Sequence, residues 1–154
     1  MRARTDRDTE VHARLFSYQS YKVQLQRFEE TATCRSSASY EAQIRSNVPS
    51  DPTARAGIAL ASMPKDLAEK RAWCCVIESA WAECVEEDRA NHLNLAQIME
   101  RNFCLVGDTH SRDGNADCRE KICADLDISE STFFARLRTI TGIVVYHAAV
   151  KGLV

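Results

Sequence analysis

Glycine and proline are scarce in this chain, five and three among 154 residues. They are the residues that punctuate strands and tight turns, so their scarcity points to helix nearly throughout. Long hydrophobic runs are missing too. The longest strongly apolar stretch, residues 143–150, is far shorter than the roughly 20 residues a spanning helix needs. The opening Met-Arg-Ala-Arg-Thr-Asp-Arg-Asp has no apolar core of a secretory signal, which predicts a cytoplasmic protein with no membrane partner. No charge sign dominates either, since 20 Lys and Arg face 22 Asp and Glu, a net of −2. That balance excludes a bulk electrostatic grip on nucleic acid, which shows a clear basic excess.

The motifs of common catalysis are also absent. There is no Gly-rich phosphate loop, no Gly-x-Ser-x-Gly and no His-Glu-x-x-His, and His12, His92, His110 and His147 have no partner that spacing identifies. The expectation is a protein that is not an enzyme and carries no cofactor. Seven cysteines stand at 34, 74, 75, 84, 104, 118 and 123 without one Cys-x-x-Cys, so neither a zinc site nor a disulfide framework is expected. Cys74, Cys84 and Cys123 fall where helices bury small apolar groups and read as core thiols. The loop around residues 107–115 carries Asp and Asn but lacks the spacing and closing Glu of a calcium loop.

What is present is helix-forming composition, with Ala, Glu, Arg and Leu abundant. The predicted fold is all-α, a long N-terminal amphipathic helix followed by a C-terminal helical bundle. Residues 9–31 form the first helix, with Val11, Leu15, Tyr18, Tyr21, Leu25 and Phe28 at spacings of three and four. It reads either as a coiled-coil arm or as a helix packed back on the domain. Serines then cluster at 36, 37, 39, 46 and 50, and Ser50-Asp51-Pro52-Thr53 suits the start of a short helix. The predicted organisation is an arm over 1–33 that is a candidate for oligomerisation, a linker with a short helix over 34–62, and a domain over 63–154.

In that domain Pro64 suits the first turn of a helix over 63–88. Its apolar face is Leu67, Trp73, Ile77, Ala80, Trp81 and Cys84, and the two tryptophans are read as core. The following carboxylates, Glu83, Glu86, Glu87 and Asp88, read as a solvated face. A helix over 91–104 buries Leu95, Ile98, Met99 and Phe103. The tail over 143–150 holds four β-branched residues yet is expected to continue as helix to about Gly152, packed on the Trp73/Trp81 helix or on a second copy.

The most informative stretch is Ile-Ser-Glu-Ser-Thr-Phe-Phe-Ala-Arg-Leu over 128–137. Ser129 suits an N-cap and Glu130 the positive end of the helix dipole. Phe133, Leu137 and Ile140 share one face, whereas Ser131, Ala135 and Arg138 share the other, with Phe134 beside them. A helix over 115–125 precedes it, and Asp127 stands in a tight turn where positive φ is often needed and Asp is tolerated. Two short helices so joined read as a helix-turn-helix, with the second entering a major groove. On that reading Ser131 and Arg138 reach base edges, Phe134 and Ala135 meet thymine methyls, and Ser129, Thr132 and Arg136 hold phosphates, while Glu130 lies within the same DNA-binding face.

Four pieces in order resemble the ArpU/RinA-like regulators of phages of Gram-positive bacteria, whose DNA-binding part is related to sigma-factor region 4. They are the Tyr18/Tyr21 helix, Ser50-Asp51-Pro52-Thr53-Ala54-Arg55, Met63-Pro64 leading into Trp73–Trp81, and Leu126-Asp127-Ile128-Ser129-Glu130-Ser131-Thr132-Phe133-Phe134. The resemblance implies a transcriptional regulator of late phage genes, acting on double-stranded DNA in the bacterial host's cytoplasm. From 116 to 154 five basic residues balance five acidic ones, so a homo-oligomer, a dimer first, is expected to bring enough contacts together. RNA polymerase is a further candidate partner through Glu83–Asp88. The rival expectations are a small terminase-like DNA-recognition subunit and a helical interaction module that never meets DNA.

Overall fold

The computed structural model describes backbone residues 6–43, 63–105 and 115–154, with side chains over 6–31, 63–105 and 119–154. Five helices and no strand occur among these residues: α1 (Asp6–Gln43), α2 (Lys65–Asn91), α3 (Leu95–Phe103), α4 (Asn115–Asp125) and α5 (Glu130–Val150). The expected all-helical class is met. None of these helices is long and apolar enough to cross a membrane. The expected helix start at Ser50–Thr53 and the loop at 107–114 lie outside the described residues.

The chain divides into two compact units, Met1–Gln19 with Ala72–Val154, and Ser20–Arg71. In the second unit Tyr21 is buried. Lys70 Nζ donates to Gln24 Oε1 at 2.9 Å and lies 3.4 Å from Asp66 Oδ2. Helix α1 runs twelve residues past Thr31, where the serines begin. Serine costs only a few tenths of a kcal/mol per position in a helix, and neither Gly nor Pro interrupts the segment.

The first unit holds the core. Val11 and Leu15 of α1 are fully buried, so this end of the helix packs on its own domain and is not a free arm. His12 meets the Phe103 ring edge-on at 5.5 Å, Phe16 meets it at 5.0 Å, and the Arg14 guanidinium lies 5.4 Å from the Trp73 ring centroid. His12 Nε2 is 2.9 Å from Thr141 Oγ1, and that hydroxyl also lies 2.8 Å from Leu137 O. A hydroxyl has one proton, and only the carbonyl must receive it, so the imidazole is assigned Nε2–H and donates. Tyr18 donates to Glu78 Oε1 at 2.9 Å, and Gln19 Nε2 donates to Leu105 O.

Helix α2 buries Trp73, Cys74, Val76, Ile77, Ala80 and Cys84. Trp81 is not core: it remains 38% exposed. Both Trp81 and Cys74 lie about a quarter turn from the middle of the buried stripe. At that border a small thiol is covered and a large indole is not. The helix stops where His92 (φ 54°) and Asn94 (φ 56°) adopt left-handed backbone. A helix start leaves four amides without helical acceptors, and here Asp88 serves two of them. Its Oδ1 accepts from Leu95 N at 2.6 Å and its Oδ2 from Ala96 N at 2.8 Å. Asp88 is therefore structural, and α3 begins at Leu95, four residues later than periodicity suggests.

Helix α3 buries Leu95, Ala96, Ile98, Met99 and Phe103, which includes all four residues expected there. It ends at Cys104 in left-handed backbone, with Leu105 N bonded to Glu100 O at 3.0 Å and Leu105 tucked in. It packs against α4 and α5, and these pack against each other. Helix α5 runs unbroken through Gly142 and stops at Gly152, whose φ is 69°. His147 Nε2 lies 2.7 Å from Glu83 Oε2, a polar contact between the tail and the tryptophan helix.

Candidate nucleic-acid interface

The α4–α5 corner is built by short-range chemistry. Asp127 has φ 49°, the left-handed conformation that its small polar side chain tolerates. Its amide donates to Ala124 O at 3.3 Å, and the next amide, Ile128 N, donates to Cys123 O at 3.0 Å. These two bonds close the end of α4 in the manner of a left-handed C-terminal cap. Two residues later Ser129, in extended backbone, accepts from Thr132 N at 3.2 Å. The chain thus ends one helix and starts another within four residues, 126–129. Phe133, Ile140, Thr141, Val144 and Ala148 hold α5 to the core.

That attachment leaves one strip of α5 outward. Ser131, Phe134, Ala135 and Arg138, at spacings of three, four and seven, are all exposed, Phe134 by 41%. The strip offers a hydroxyl, a ring edge, a methyl and a guanidinium. Arg138 lies along its own helix, with Nε donating to Phe134 O at 3.3 Å. Ser129 and Glu130 are exposed beside the strip, and Thr132 and Arg136 are half-buried. Ser129 Oγ is 2.8 Å from both Ser131 Oγ and Thr132 Oγ1, so three hydroxyls cluster at the start of α5. One terminal nitrogen of Arg136, Nη1, is buried without a hydrogen-bond partner.

Sequence reading missed Arg119 of α4. Its Nε lies 3.3 Å from Glu130 Oε1, an ion pair without the alignment of a hydrogen bond. Its guanidinium carbon is 5.8 Å from the Phe134 ring centroid, within reach of a cation–π contact. Arg101 pairs with Asp125 at the C-terminal end of α4, where a cation suits the dipole. Neither pair follows helical spacing, because each crosses from one helix to another. No family model, curated protein or solved structure matches the chain.

The cysteines contribute no metal centre among the described residues, where no three His, Cys, Asp or Glu side chains converge. Cys74 and Cys84 are buried, Cys123 is half-buried, and Cys75 and Cys104 are exposed. The Cys84 thiol is pushed up to about 12, first by burial and then by Asp88, Glu83 and Glu87. Such a thiol is a poor nucleophile near neutral pH.

Proposed function

We propose that this chain is a sequence-specific DNA-binding transcriptional regulator, of the kind that controls late genes in phages of Gram-positive bacteria, acting in the cytoplasm of the host. The observation that carries the reading is the α4–α5 corner. A four-residue turn with Asp127 at φ 49° leads into a capped helix whose outward strip is Ser131, Phe134, Ala135 and Arg138. A helix-turn-helix needs such a turn, and its second helix needs an outward face able to meet base edges. Arg138 keeps both terminal nitrogens for a guanine, since only its Nε is bonded to the helix. Ser131 lies about two turns ahead of it, with Phe134 and Ala135 between for thymine methyls. Ser129, Thr132 and Arg136 are assigned to phosphates, Arg136 through the part of its half-buried side chain that reaches solvent.

The near-neutral net charge makes one such helix a weak reader, so the reading includes a homodimer on a two-fold site. Tyr146 and Val150, one turn apart on α5 and 62% and 66% exposed, supply apolar surface for a second copy. RNA polymerase fits less well as a partner through the acidic run of α2. Glu83 faces His147, Asp88 caps α3, Glu86 pairs with Arg89 and Glu87 accepts from Asn91.

Selection of bound sequences from a random duplex pool tests the reading. Enrichment of a defined motif with two half-sites about one helical turn apart is expected. A pool that stays unenriched over repeated rounds at low salt rejects it.

A further inference from the structure

Around Phe134 the outward strip of α5 carries a cation that belongs to another helix. Arg119 reaches from α4 to within 3.3 Å of the Glu130 carboxylate and lies over the Phe134 ring. The pair is partly exposed, with Arg119 31% and Glu130 58% accessible. An exposed ion pair is weak and readily exchanged for a stronger anion. Glu130 stands at the first position of α5, beside the residues assigned to phosphates. A carboxylate there repels the DNA backbone unless a cation neutralises it. Arg119 does that in the free protein, through an Nε that is itself buried and without an aligned acceptor. The side chain is 31% exposed at atoms other than that nitrogen, and stacking on Phe134 keeps the guanidinium at the strip when the carboxylate releases it.

We propose that Arg119 is a phosphate-contacting residue of the DNA interface, latched in the free protein by Glu130, whose carboxylate occupies the place a backbone phosphate takes on binding. The proposal rests on the DNA-binding reading above and assigns α4 a direct contact that the α5 strip alone does not provide. Glu130 then acts as a brake: it competes with every phosphate, whatever the base sequence.

The test is fluorescence anisotropy of a random-sequence duplex of 30 base pairs across a series of KCl concentrations. The proteins are wild type, Arg119→Gln, Glu130→Gln and the double variant, each checked for an unchanged melting temperature. Arg119→Gln is expected to weaken binding about 3- to 10-fold and to lower the slope of log K against log salt by about 1. Glu130→Gln is expected to tighten binding several-fold, and the double variant to lose that gain, because there is then no latched cation to release. Equal gains from Glu130→Gln with and without Arg119 overturn the latch, since the carboxylate then acts by charge alone. An unchanged salt slope in Arg119→Gln overturns the phosphate contact. If neither wild type nor Glu130→Gln binds any duplex at low salt, the DNA-binding reading itself fails and takes the latch with it. Wild-type binding with indifferent variants rejects the latch only.

Discussion

Arg138 and Arg136 are two positions apart on α5 yet differ in what surrounds them. Arg138 is exposed and bonded only to its own helix, while Arg136 is half-buried with one nitrogen unsatisfied. An exposed guanidinium with two free ends can read a guanine through O6 and N7, whereas a half-sunk one is restricted to the backbone beside it. Replacing Arg138 with Ala should cost about 1–3 kcal/mol on the selected site and little on random DNA, as competition binding will measure. An equal loss on both makes Arg138 a phosphate contact. At this scale the sequence was most legible where chemistry is local. The Ser129 cap and the left-handed Asp127 both follow from residues within a few positions. Arg119 and Asp88 were hidden because their partners lie across a corner: Glu130 is eleven residues on, and the amides of Leu95 and Ala96 wait beyond two left-handed residues.

Helix existence was readable from composition, and helix ends less so. Helix α1 outlasts its apolar stripe by running through serines that a helix tolerates, and α3 starts late because His92 and Asn94 break the chain first. Trp81 illustrates the limit of periodicity, which places a residue on a face but not how far neighbours extend over it. Helix α5 offers a direct test at Gly142, which lies inside the helix on its exposed side. A Cβ built there meets nothing within 4 Å. Gly142→Ala removes the extra backbone freedom of the unfolded chain and should stabilise the protein by about 0.5–1 kcal/mol. The melting temperature then rises by roughly 1–4 °C. A fall instead would mean that the position needs glycine for close approach of another surface, such as a second copy.

For the molecule as a whole, two buried acids make stability depend on alkaline pH. Burial and nearby carboxylates push the Cys84 thiol from 9.0 up to about 12. Burial, and then donation to Glu78, raises the Tyr18 hydroxyl from 10.0 as well. Both groups are neutral acids that lose protons more easily in the unfolded chain. Their stabilisation is complete below pH 9, falls as pH rises from 9 toward 12, and is joined by the Tyr18 loss from pH 10. Urea midpoints taken at intervals from pH 8 to pH 11 should therefore decline. Cys84→Ala should flatten the first part of that decline even if its starting midpoint is lower. An unaltered pH slope in the variant would assign the loss to other groups.

Val11 and Leu15 belong to the unit that holds α5, although some 115 residues of chain separate them from it. Heredity is constrained by that arrangement. A recombination event that carries off the α4–α5 corner with its downstream residues leaves behind two fully buried side chains and the imidazole that bonds Thr141. The exchanged piece arrives with Phe103 uncovered or missing and with a buried hydroxyl deprived of a donor. Homologues that have shuffled their ends should therefore be rare.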